Sequence, residues 1–144
     1  MKINAKDLVR AAENARLMSY SPYSSFSVGA ALLCSDGKIY EGCNIENSSF
    51  TPTCCAERVA IFKAVSDGRR DFVAIAVVGG HTHAEERDFC YPCGVCRQVL
   101  AEFCDSDLKV FLGNSKGDII ETELGEIMPY TFKLKKDDKN EKAD

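Results

Sequence analysis

The chain has 144 residues, 45% of them hydrophobic and 28% charged, with a formal net charge of −4. That length and balance predict one globular domain with its own core, and the acidic surplus argues against a nucleic acid polymer as partner. No run of about 18 apolar residues occurs and the N-terminus lacks an apolar signal core, so no membrane partner is expected and the expected compartment is cytoplasmic.

In chain order, Asn4 caps a helix running to about residue 18, with Leu8, Ala11, Ala12, Ala15 and Met18 on one stripe. Residues 19–26 (SYSPYSSF) form a loop. The apolar runs 27–34 and 39–44 flank Ser35-Asp36-Gly37-Lys38, an Asp-Gly turn that predicts a hairpin. Thr51-Pro52 reads as a helix start, and Val59, Ile61, Phe62 and Val65 predict a mostly buried helix stopped at Asp67-Gly68. Residues 72–78 are an unbroken apolar run, as in a central strand covered on both faces.

The polar stretch 79–91 predicts a loop, and residues 94–103 a helix with Val95, Val99, Leu100 and Phe103 on one side. Short strands are expected at 109–112 and 118–122 and a helical turn at 123–127. The segment 133–144 mixes charges without apolar periodicity, so a single domain over 1–132 and a frayed charged tail are expected. This order predicts an α/β fold, a three-layer α-β-α sandwich around a mixed sheet of about five strands.

Eight cysteines in a reducing compartment read as metal ligands, a nucleophile or core residues before they read as disulfides. Cys93-Gly94-Val95-Cys96 has zinc-ligand spacing, and so does Cys90-Tyr91-Pro92-Cys93. Pro92 favours the later pair, because it ends an extended approach where the next helix begins. Taken alone, that pair also suits a thioredoxin-like dithiol or two buried thiols. Cys54-Cys55 at a second helix start weighs toward metal, since helix N-termini stabilise thiolate. Three thiolates and an open fourth position would make the site catalytic rather than structural. Glu57 alone is a solvated first-turn carboxylate; beside such a site it becomes a general acid/base candidate.

With TCCAER at 53–58, PCGVCRQ at 92–98, FSVGAAL at 26–32 and NIEN at 44–47, the chain resembles the small zinc-dependent cytidine deaminases over residues 21–132. The resemblance implies one Zn²⁺ per chain on Cys55, Cys93 and Cys96, with Glu57 as proton shuttle. It implies Phe26 stacked on a pyrimidine, Asn44 and Glu46 on sugar hydroxyls, and the Ala56 backbone on the base. Arg58, helped by Gln98, is implied to donate hydrogen bonds to the cysteine sulfurs, offsetting the net −1 that three thiolates leave on Zn²⁺. A homotetramer is implied, in which Phe50 and Phe132 reach a neighbour's active site.

The implied reaction is hydrolytic deamination of cytidine and deoxycytidine, a pyrimidine nucleoside partner, to uridine and deoxyuridine with release of ammonia. A 5′-phosphate is disfavoured by Glu46 near the sugar. Rival readings are a blasticidin-type deaminase of a cytosine-nucleoside antibiotic and a structural zinc module. Two departures stand out: loop 81–90 is longer than the resemblance leads us to expect, and Cys54 duplicates Cys55. Cys34, Cys43, Cys54 and Cys104 read as structural, and His81 and His83 as surface residues.

Overall fold

Asn4 starts the first helix as its side chain suggests, its Oδ1 accepting from the Asp7 amide at 3.1 Å. This helix, α1 (Ala5–Arg16), buries Leu8, Ala12 and Ala15, while Met18 falls beyond its end and is exposed. The structure, a computed structural model, describes residues 1–136; the part of the expected frayed tail at 137–144 lies outside the described residues. Residues 133–136 form no helix or strand, but Lys133 donates to the Cys104 carbonyl at 3.5 Å.

The elements that follow are β1 (Phe26–Cys34), β2 (Ile39–Cys43), α2 (Ala56–Ser66), β3 (Phe72–His81), α3 (Gly94–Phe103), β4 (Lys109–Gly113), β5 (Ile119–Glu123) and α4 (Leu124–Ile127). They build a five-stranded sheet in the order β2-β1-β3-β4-β5. Among the described strands only β3 and β4 pair in parallel, with α3 in the crossover between them, so the sheet is mixed as expected. Gly37, at φ +96°, makes the hairpin turn between β1 and β2 in a region that side chains avoid.

One apolar cluster joins Leu8 and Ala12 of α1 to Ala31, Leu33, Ala74, Ala76, Val78 and Phe111 of the sheet. A larger one on the other face joins Ala30, Leu32, Ile75, Val77 and Val110 to Ala60, Ile61 and Leu100 of α2 and α3. The three layers are therefore α1, the sheet, and the α2–α3 pair.

Four expectations change. The helix predicted from Thr51-Pro52 begins at Ala56, because Cys54 pairs with Ile45 in an isolated bridge and holds the chain extended up to Cys55. Phe62, expected in the buried part of that helix, is about half exposed, and the buried face is carried by small residues, Ala56, Ala60 and Ala64, with Ile61. The strand predicted to end at 78 continues through Gly79, Gly80 and His81, which pair with Val28, Ser27 and Phe26 of β1. Val95 faces out at the start of α3, whose buried side is Cys96, Leu100 and Ala101.

Candidate metal centre and nucleoside pocket

Two helix N-termini meet at the site, because each helix is seated on the sheet by its own contacts. Gly42 of β2 lets α2 lie directly on the strand: a Cβ there would run into the Ala56 carbonyl and come 2.5 Å from the Ala60 nitrogen. Cys55 is thereby placed as the N-cap of α2, extended at φ −71° and ψ 155°, with Glu57 in the first turn. Cys93 caps α3 in the same way at φ −70° and ψ 168°, and its sulfur accepts from the Cys96 amide at 3.5 Å. First-turn side chains project past the helix end, so Cys55 and Glu57, two residues apart, address the same space.

The sulfurs of Cys55, Cys93 and Cys96 all lie within 4.8 Å of one another, with Cys93 and Cys96 at 3.4 Å. Three thiolates on one zinc at about 2.3 Å would stand about 3.8 Å apart, so the donor set fits that ion in chemistry and span. Among the described residues, no fourth His, Cys, Asp or Glu atom joins this cluster. Cys90, the rival in spacing, is not part of it, and burial pushes its thiol up to about 11.

The Cys55 thiol is pulled down to about 5, first by a hydrogen bond from Cys96 and then by the Arg58 guanidinium. Cys96, the donor of that pair and itself buried, is raised. Arg58 Nη2 stands 3.4 Å from the Cys55 sulfur and 3.4 Å from the Thr53 carbonyl, while its Nε is buried without a partner among the described residues. A cation held there by charge and a donor left over beside sulfur both suit an anionic thiolate cluster. Gln98 does not take the part expected of it: Nε2 donates to the Phe132 carbonyl at 3.0 Å, not to a sulfur.

Glu57 is only 4% exposed. Burial raises its carboxyl to about 7, the nearby Cys55 charge adding to that and Cys96 and Arg58 opposing it. A carboxyl balanced near neutrality can both accept and return a proton.

Beside this centre, Asn44 and Glu46 flank Ile45, which is bridged to Tyr20 on one side and Cys54 on the other. Extended backbone puts residues two apart on one side, so the two side chains share a face. Asn44 is nearly buried; its Oδ1 accepts from Val28 N at 2.9 Å and from the Ser19 hydroxyl, and Nδ2 donates to Phe26 O at 2.8 Å. Glu46 Oε1 accepts from Tyr23 N at 3.0 Å and Ser24 N at 3.1 Å, and Oε2 from the Ser24 hydroxyl, which holds this carboxyl below the usual range. Tyr23, Ser24, Glu46, Phe50 and Thr53 line a cavity of about 400 Å³.

Phe26 is half exposed at the start of β1, and Ala56 is fully buried. Phe50 and Phe132 are 70% and 63% exposed. Phe50 adopts φ +64° and meets Tyr23 edge-on at 6.1 Å between ring centroids. His81 and His83 are exposed, and Cys34 and Cys104 are buried, while Cys43 and Cys54 are partly so. Tyr23, Ser24 and Ser19, which hold Glu46 and Asn44, were not anticipated; the serine-rich loop 19–26 was the available signal.

A family model described as the cytidine and deoxycytidylate deaminase zinc-binding region matches residues 2–112, and the chain belongs to that family. Within it, the cytidine deaminase of Sporosarcina psychrophila is 52% identical over 130 residues, covering 90% of this chain and 92% of its own. A crystal structure of cytidine deaminase from Burkholderia pseudomallei is similar with a TM-score of 0.82 at 45% identity, covering 90% of this chain and 100% of that one. The blasticidin-S deaminase of Bacillus cereus is 31% identical over 130 residues, covering 88% of this chain and 90% of its own.

Proposed function

We propose that this chain hydrolyses cytidine and deoxycytidine to uridine, or deoxyuridine, and ammonia, with one zinc per chain held by Cys55, Cys93 and Cys96. The observation that carries the reading is a buried carboxyl, Glu57, next to three convergent sulfurs with no fourth protein ligand among the described residues. An open fourth position favours a catalytic centre over a structural zinc module. The greater identity to a cytidine deaminase than to a blasticidin-S deaminase supports cytidine over the antibiotic as substrate.

Zinc, when bound, supplies the Lewis acidity that makes water a nucleophile near neutral pH. Glu57 takes a proton from the attacking water and passes it to ring N3 as oxygen bonds to C4. It then takes the remaining hydrogen from the C4 hydroxyl and delivers it to the amino nitrogen as the C4–N bond breaks and the C4 carbonyl forms, so one water enters and one ammonia leaves. Arg58 draws charge from Cys55 and steadies it as thiolate. Phe26 offers a ring to the base, and Ala56, at the first helical position, offers backbone.

The sugar contacts follow from which hydrogen-bonding positions are left. Both Asn44 Oδ1 sites and one Nδ2 hydrogen are engaged, leaving one donor. Glu46 has three of about four acceptor sites filled, leaving one. One donor and one acceptor on the same face suit a single hydroxyl shared by ribose and deoxyribose. The negative charge of Glu46 there repels a 5′-phosphate.

The proposed assembly is a homotetramer in which Phe50 and Phe132 close a neighbour's pocket. Exposed Leu17, Met18, Ile45, Tyr130, Phe50 and Phe132 supply apolar surface for such contacts. All eight cysteines are free, which suits a reducing cytoplasm.

The test is the loss of cytidine ultraviolet absorbance on incubation with zinc-replete protein, beside a zinc count and an ammonia assay. One ammonia per uridine and one zinc per chain are expected, with Cys54→Ala and Cys90→Ala keeping both metal and activity. Turnover of blasticidin-type compounds but not cytidine would select the rival, and zinc retained without turnover would select the structural module.

A further inference from the structure

Loop 81–90, longer than the resemblance leads us to expect, crosses from one face of the sheet to the other within a few residues. Gly79 and Gly80 are neighbours on β3 and so address opposite faces. On one face, a Cβ at Gly80 would stand 2.6 Å from Arg87 Cγ and 3.0 Å from its Cβ and Cδ. On the other, a Cβ at Gly79 would stand 2.9 Å from the Cys90 sulfur and 3.0 Å from Val28 Cγ2. Arg87 thus lies on the α1 side, while Phe89 and Cys90 pack against the apolar cluster shared with α2 and α3. The chain straddles the end of β3, and two glycines are the saddle.

The α1 side of this strap is fastened with strong partners. Arg87 Nη2 reaches both oxygens of Glu13 at 2.9 Å, and the Arg87 side chain is only 11% exposed. Its Nη1 is buried without a partner among the described residues, so the charge depends on Glu13 for compensation. The Arg87 amide donates to Ser115 Oγ at 2.7 Å, and the Arg87 carbonyl accepts from Ser115 N at 3.0 Å in the turn between β4 and β5. Arg16, also on α1, donates from Nε to Ser27 O at 3.0 Å and from Nη2 to His81 O at 3.0 Å, fixing the saddle from the same side.

We propose that Arg87 is a positioning residue for the metal centre: clamped to Glu13 and Ser115 on the far side of the sheet, it sets where the strap delivers Cys90 and, three residues on, Cys93. This rests on the reading that the three sulfurs hold zinc. Cys90, whose sulfur lies 2.9 Å from where a Cβ at Gly79 would stand, is packed against the apolar cluster on the face that carries α2 and α3, three residues before Cys93. Arg87 lies on the α1 side of the sheet, across from the helix starts that carry the three sulfurs, and acts through the backbone between 87 and 93.

Zinc-loaded wild type, Arg87→Met, Arg87→Lys and Ser115→Ala would be compared by the rate at which a chromophoric chelator strips zinc, by kcat and KM for cytidine, and by melting temperature. Arg87→Met keeps an apolar stem on Gly80 but loses the pair with Glu13. Zinc loss about tenfold faster, with kcat lowered and KM within about twofold, is expected for it, the scale on which supporting partners act on a metal site. Arg87→Lys should restore most of the wild-type zinc retention, because it keeps stem and charge. Should Arg87→Met fail to fold, Ser115→Ala loosens the same strap without touching a charge and should shift zinc release in the same direction. A lower melting temperature with unchanged zinc release and kcat, well below that temperature, reduces Arg87 to a fold-stabilising residue and overturns the proposal. Wild-type protein that takes up no zinc overturns the earlier reading and this one together, and the metal count shows it before any variant is compared.

Discussion

Glu57 holds a proton in the folded chain over a pH range in which the unfolded chain has released it, because burial lifts its carboxyl from 4.5 to about 7. The folded state then binds more protons between those values, so stability falls as pH rises through the window, by up to about 3 kcal/mol. In zinc-free protein, Glu57→Gln is expected to melt higher than wild type above pH 7, with the gap closing toward pH 4.5. Thermal melts across that range check it, and a gap that does not vary with pH would remove burial as the cause. In the zinc-loaded protein the same substitution is expected to lower turnover by about 10²-fold or more with zinc retained. What could be read of these residues in advance depended on company: Glu57 and Cys55 signal little singly, but spacing at two helix starts makes them a set. Gln98 could not be placed that way, since its acceptor, the Phe132 carbonyl, is brought in by the path of a distant segment. Nor could the loop amides that hold Glu46, because a backbone N–H carries no sequence signature.

At the scale of elements, the position of α2 depends on the absence of a side chain at Gly42. Gly42→Ala is expected to push Ala56 and Ala60 off β2, destabilising the fold by about 1–3 kcal/mol and reducing zinc content, since Cys55 rides on that helix end. Gly94→Ala is the matched control, because nothing lies within 4 Å of a Cβ there. Denaturant titration with a metal count on each variant decides it; equal behaviour of the two would show that α2 has room to shift. Hairpin, α1, α3 and the short strands could all be read from periodicity and turn residues. The start of α2 could not, as Thr51-Pro52 has helix-start chemistry but Cys54 is committed to a pairing with Ile45. The glycines ending β3 read as loop, because their value lies in what presses on them from both faces, which local pattern does not record.

For the whole molecule, the surface left bare by one chain is the informative feature. Tyr130 is fully exposed at φ +53°, Phe132 and Leu134 are exposed after it, and the segment is held to α3 through Gln98. Truncation before Pro129 is expected to lower cytidine turnover while leaving zinc bound, and light scattering should give about 63 kDa for four 15.8 kDa chains of the intact protein. A fully active monomer at assay concentration would defeat the shared-pocket assembly. The two helix starts that meet at the metal centre carry a separate consequence for how the chain is loaded. Cys55 and Cys93 are 38 residues apart, with α2 and β3 between them. In an open chain, bringing two such sulfurs together costs about 4 kcal/mol of conformational entropy, by the relation that describes loop closure. The folded sheet has met that cost before any ion arrives, which favours uptake by folded over unfolded chains by about 10³-fold. Under the proposed ligation, metal content becomes a readout of completed folding: in a mixed population, zinc is expected to collect on the chains whose sheet has already formed.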